Sequence, residues 1–188
     1  MGKTLILYLK KIILAGIFLV SALLLRSEYE KSCLKVSFYK IRTKKKIGEK
    51  INSKKRLIFL SDLHNKKFGI DNERLITAID SLSPDILLIG GDMPVVKKGK
   101  KIRYTGSFKG PDIDTTLKLC LSLSEKYPVF YSNGNHELRL KDKKIYGNKY
   151  LFFKNALKRA GVHYLEDKQE DCGCFSIAGL DIDMKYYT

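Results

Sequence analysis

Three short apolar runs punctuate the chain: Leu57-Ile58-Phe59-Leu60, Ile86-Leu87-Leu88-Ile89 and Val129-Phe130-Tyr131. Continuous runs of this length, without polar alternation, predict strands covered on both faces. Between them the apolar period lengthens. Leu75, Ile76 and Ile79 share one face of a helix over 71–82, with Asp71 as its N-cap and Pro84 beyond its end. Leu117, Cys120, Leu121 and Ser124 form a stripe along a second helix over 112–126. A third helix over 149–160 turns Phe152, Phe153, Ala156 and Leu157 inward and stops at Gly161. Residues 162–165 and 175–180 read as further strands. Leu34, Val36 and Phe38 alternate with Lys35, Ser37 and Tyr39, which predicts an edge strand with one wet face. Strand, helix, strand in repetition is the pattern of an α/β fold with a core of mainly parallel strands.

One stretch does not belong to that pattern. Residues 5–25 are almost wholly apolar, broken only by Lys10 and Lys11. The clean part, 12–25, is short of the roughly 20 residues that span a bilayer. With both lysines reaching back to one interface, the whole segment suffices. A signal peptide is the rival reading, because Lys3, Lys10 and Lys11 supply a basic leader. Leu23-Leu24-Leu25-Arg26 lacks the small residues a peptidase reads, which favours an uncleaved single-pass anchor in the cell membrane. Lysine and arginine lie on both sides of the segment, so the side of the membrane on which the remainder sits stays open. The organisation is then a membrane anchor over 1–30, an edge strand and basic linker over 31–55, and a domain over 56–188.

The formal charge of +16 suits an anionic membrane surface or a phosphate-bearing ligand as well as a merely lysine-rich exterior. Nucleic acid is disfavoured, since no recognition motif and no basic–aromatic interleaving accompanies the charge. Cys33, Cys120, Cys172 and Cys174 do not make paired Cys-x-x-Cys ligands, which excludes a ribbon-type zinc site. Cys172 and Cys174 would share one face of a strand. Residues 97–111 are polar and glycine-bearing, and read as a loop beside the site. His163 lies in a short strand pattern and reads as structural.

The chemistry sits at the ends of the three buried runs. They lead into Ser61-Asp62-Leu63-His64, Gly90-Gly91-Asp92 and Asn133-Gly134-Asn135-His136-Glu137. Ligands of open parallel sheets bind beyond the carboxyl ends of the strands, so the three stretches can meet in one crevice. Carboxylate and amide oxygens together with imidazole nitrogen suit Mn, Fe or Zn better than a thiolate-seeking ion. Singly each stretch is ordinary: a strand-end Asp often forms a turn, and Asn-Gly is a good turn pair.

Together, Asp-x-His, Gly-Asp and Gly-Asn-His-Glu in this order resemble the calcineurin-like metallophosphoesterases, and among them the bacterial membrane-associated branch. The resemblance runs from about residue 54 to the C-terminus. It implies part of the family's α/β sandwich and two divalent metal ions. It further implies Asp62 and His64 as ligands of the first metal, Asp92 as a bridge, and Asn135 as a ligand of the second. His136 would stand just outside the metals as general acid or as stabiliser of the leaving oxygen, and Glu137 would orient a neighbour. The implied activity is hydrolysis of a phosphate ester; a lipid-linked or cell-envelope ester fits the expected membrane anchor.

The family pattern is incomplete. Relatives carry further metal-binding histidines after these motifs, including Gly-His-x-His, whereas this chain has three histidines in all, His64, His136 and His163. The sequence therefore reads as the N-terminal half of such an enzyme: a fragment, a half needing a partner chain for the missing ligands, or an inactive remnant. A basic protein of membrane surfaces or nucleic acid is the remaining alternative.

Overall fold

The computed structural model describes residues 2–41, 54–97, 110–173 and 175–186. They fall into two compact units, Met1–Ile41 and Arg42–Thr188. In the first, helix α1 runs from Gly2 to Ser32. From Thr4 to Ser32 it is long and apolar enough to cross a membrane, as an anchor or as a signal sequence. Arg26 pairs with Glu30 at 2.9 Å and Lys31 with Glu28 at 2.6 Å, both on the last turns beyond the apolar stretch. Residues 33–41 form no strand. Val36 and Phe38 stay exposed. The rest of the expected basic linker, 42–53, lies outside the described residues, as do 98–109 of the expected loop and Cys174.

The second unit is built on four parallel strands in the order β1-β2-β3-β4: Leu57–Leu60, Ile86–Ile89, Val129–Ser132 and His163–Leu165. Between them come helix α2 (Glu73–Leu82), α3 (Asp114–Ser124), and then α4 (Asn135–Leu140), α5 (Lys143–Tyr146) and α6 (Lys149–Arg159) before β4. A two-stranded antiparallel hairpin, β5 (Lys168–Asp171) and β6 (Ser176–Gly179), follows. The three apolar runs are thus the first three strands, parallel and in register. β2 and β3 are buried as the absence of alternation predicts, whereas β1 lies at the sheet edge with Leu57 and Phe59 exposed.

The sheet has two different faces. On one, Tyr131 of β3 meets Phe153 of α6 edge-on at 5.7 Å and stacks on Tyr164 of β4 at 5.5 Å. On the other, Ile86, Phe130 and Leu165 are covered by Cys172, Phe175 and Ile177 of the hairpin. The hairpin does not reach β1, where Leu57 and Phe59 remain exposed.

Three details differ from the sequence reading. Asp71 does not cap α2. It sits in a preceding turn at φ 48° and pairs with Lys118, while Asn72 occupies the cap position and accepts the Phe68 N–H at 3.0 Å. On α3 the expected Leu117 and Cys120 are buried, but with them go Leu119 and Leu123, while Leu121 is turned out. Asp112 starts that helix from outside, accepting from Asp114 N and Thr115 Oγ1. On α6 the buried residues are Tyr150, Phe153 and Leu157, and Phe152 is exposed.

Candidate metal centre

The loops after β1, β2 and β3 meet at the carboxyl edge of the sheet. The first lies along the second through three backbone bonds: Asp62 N to Gly91 O at 3.1 Å, His64 N to Asp92 O at 3.1 Å and Asn65 N to Met93 O at 2.7 Å. To follow this path Asp62, His64, Asn65 and Asp92 all take left-handed backbone, with φ of 57°, 49°, 59° and 53°. Such a cluster of non-glycine residues at positive φ is costly and is typical of functional loops.

The second and third loops touch at two glycines. A methyl group on Gly91, at φ 85°, would overlap the Gly134 amide nitrogen, and one on Gly134 would overlap the Asp92 carboxylate. Only glycine permits this approach. It brings Asp92 Oδ1 to 2.7 Å from the His136 N–H, which donates to it from the first turn of α4.

The result is one group of ligand atoms. Asp62, His64 and Asp92 each present an atom within 4.8 Å of the others. His64 Nε2 lies 4.0 Å from Asp62 Oδ1, too far for a direct bond, and Ser61 Oγ donates to Asp62 Oδ2. Asn135 starts α4, and its side-chain Oδ1 is buried with no hydrogen-bond partner. A buried carbonyl oxygen left unsatisfied is expensive unless something electropositive meets it. Two carboxylates, an imidazole and an orphaned amide oxygen form a donor set that fits a divalent cation of the Mn, Fe or Zn type.

His136 stands beside this group, its ring 4.7 Å from that of His64. Val96 N–H donates to His136 Nδ1 at 2.7 Å, so the proton of the neutral ring sits on Nε2. Burial, and then the Arg139 guanidinium beside it, hold the imidazole below its usual pKa, against the pull of Asp92. Arg139 is itself tied to the Val96 carbonyl at 3.0 Å.

Glu137 binds the loops together from beneath. Fully buried, it accepts from Asp92 N (2.9 Å), Met93 N (3.1 Å), Gly134 N (3.0 Å) and the Tyr131 hydroxyl (2.6 Å). Burial pushes its pKa up, and the four donors work against that rise. His163, by contrast, stacks on Phe130 at 4.5 Å and pairs with Glu170 at 2.6 Å, linking β4 to the hairpin. Sequence reasoning did not single out Asn133, Val96 or Asp181. Only the first carried a signal, as an asparagine directly before a glycine at a strand end.

A family model described as calcineurin-like phosphoesterase matches residues 55–187. No curated protein and no solved structure matches the chain.

Proposed function

Because the chain belongs to the calcineurin-like phosphoesterase family, we propose that it hydrolyses a phosphate ester at a two-metal centre. The observation that carries this reading is the convergence of Asp62, His64 and Asp92 within 4.8 Å, together with a buried, unpartnered oxygen on Asn135, whose neighbour His136 donates its N–H to Asp92. Asp62 and His64 would hold one ion, Asn135 the other, and Asp92 would be shared between them. Bound divalent cations would supply charge neutralisation for the anionic ester and a more acidic water.

The chain's own residues supply position and hydrogen bonds. The glycine contact and Glu137 fix the loops so that the ligand atoms need not reorganise when the ester binds. His136, accepting from Val96 N–H at Nδ1, carries the proton of its neutral ring on Nε2, beside the ligand group. It suits stabilisation of the negative charge that grows on the leaving oxygen, the second of the two roles expected for it. The apolar α1 and the excess of basic residues support an enzyme held at a membrane and acting on an ester presented there.

The assay uses the full chain in detergent with Mn2+ and bis(4-nitrophenyl) phosphate. Mn2+-dependent release of nitrophenol is expected. Asp92→Ala should lower the rate by ~10³-fold, the equivalent of several kcal/mol of lost charge stabilisation. Turnover indifferent to Mn2+, or surviving Asp92→Ala, contradicts the reading. A second reading, a one-ion protein without turnover, is favoured by one fact: among the described residues Asp62, His64 and Asp92 are the one such ligand group. Mn2+ binding without hydrolysis would select it.

A further inference from the structure

We propose that Asp181 is a positioning residue for the candidate metal centre: through Asn133 it holds the corner from which Asn135 and His136 project. The proposal rests on the metal-centre reading above, but concerns a residue 48 positions away along the chain from the corner it braces.

Asn133 ends the third core loop's approach and is only 6% exposed. Its amide is fully engaged. Nδ2 donates to Asp181 Oδ1 at 2.8 Å and to the Tyr150 hydroxyl at 3.1 Å, and Oδ1 accepts from the Tyr164 hydroxyl. An asparagine has two N–H donors, and both have a partner here. Asp181 lies just past β6, with its side chain 9% exposed. Its Oδ2 also accepts from Lys141 Nζ at 2.6 Å, and Lys141 reaches Glu166 at 2.5 Å.

The path from Asn133 to the ligand is short. One residue, Gly134, separates it from Asn135, and that glycine is already pressed against Asp92 and bonded to Glu137. The corner is therefore clamped from two sides: Glu137 holds Gly134, and Asp181 holds Asn133. In Asp181→Asn one oxygen remains for the two donors: Lys141 keeps Glu166 as its other acceptor, and whichever of Asn133 Nδ2 and Lys141 Nζ loses the remaining oxygen faces an NH2 donor instead. The corner then relaxes, and the Asn135 oxygen and the His136 N–H move with it.

Asp181 has a second attachment that allows a control. Its own N–H donates to Asp167 Oδ1 at 2.9 Å. Asp167 sits at φ 48°, so Asp167→Gly removes this tether without backbone strain and without touching Asn133. A role limited to fastening the chain after β6 would be lost equally in both variants.

The experiment is Mn2+ titration of the full chain in detergent, with free Mn2+ read from its EPR signal. Wild type is expected to bind. Asp181→Asn should bind about ten- to a hundredfold more weakly, the usual cost of losing a residue that orients a ligand. Asp167→Gly should bind as wild type does. If Asp181→Asn fails to fold by circular dichroism, Tyr164→Phe releases the other end of the same amide and should weaken binding in the same direction. Wild-type affinity in Asp181→Asn, or in Tyr164→Phe where that variant stands in, overturns the proposal. So does equal weakening in Asp167→Gly. Absence of Mn2+ binding by wild type instead overturns the metal centre itself, and the proposal with it.

Discussion

Glu137 shows how one residue can organise a site it does not face. Its four donors come from two different loops and from β3, so its carboxylate stands where a backbone turn alone could not hold Asp92 and Gly134 together. Glu137→Gln places an NH2 among donors and leaves at least one of them unpaired. The expected cost is about 1–3 kcal/mol, measured by urea denaturation. Gly91→Ala should do more harm to the centre than to the fold, because the added methyl forces the second and third loops apart. Its expected signature is lost Mn2+ affinity with the far-UV spectrum kept. The candidate ligand residues were conspicuous in the sequence, because Asp, His and Asn stand at strand ends. The backbone that aims them was not: nothing about Asp62, His64 or Asp92 as residue types announces a positive φ. Asn135 was legible as a ligand type, but its buried and unpartnered oxygen exists only once α4 has packed.

At the scale of elements, unbroken apolar runs made the first three strands readable to within a residue, although only β2 and β3 are buried on both faces. Elements held by polar contacts were not readable in that way. β5 is Lys-Gln-Glu-Asp, a sequence without an apolar signal, and it exists because β6 pairs with it. The segment Leu34, Val36 and Phe38 is the converse, an apolar alternation that forms no strand and whose Val36 and Phe38 stay exposed. Polar contacts also join α4, α6 and β4. Glu166 accepts from Lys141 and Lys154 and from the Tyr150 hydroxyl, on elements separated in sequence. Burial opposes its ionisation, but those donors prevail and bring its pKa from 4.5 to about 2. A depressed carboxylate stabilises the fold above its unfolded pKa and loses that contribution as it is protonated. Stability should therefore fall as pH drops from about 4.5 toward about 2. Melting temperature against pH checks this, and Glu166→Gln should flatten that acid limb. A limb of unchanged steepness in Glu166→Gln would remove Glu166 from the explanation.

For the whole molecule, the family match over residues 55–187 and the apolar helix Thr4–Ser32 describe separate parts with separate physics. The helix has no buried residue in its apolar window, so water is a poor solvent for it. If it serves as an anchor, the full chain sediments with membranes, resists high salt and leaves only with detergent. Deleting residues 2–32 should then leave at most a salt-sensitive attachment from the basic surface. Release of the full chain by salt alone would count against an apolar anchor. The central claim, however, concerns the carboxyl edge of the sheet. Its most direct measurement is an anomalous difference map, recorded near the manganese edge, from crystals of the chain grown with Mn2+. A peak bounded by Asp62, His64, Asp92 and Asn135 is the expected result. A map with no peak there, or with manganese bound only elsewhere, would contradict it.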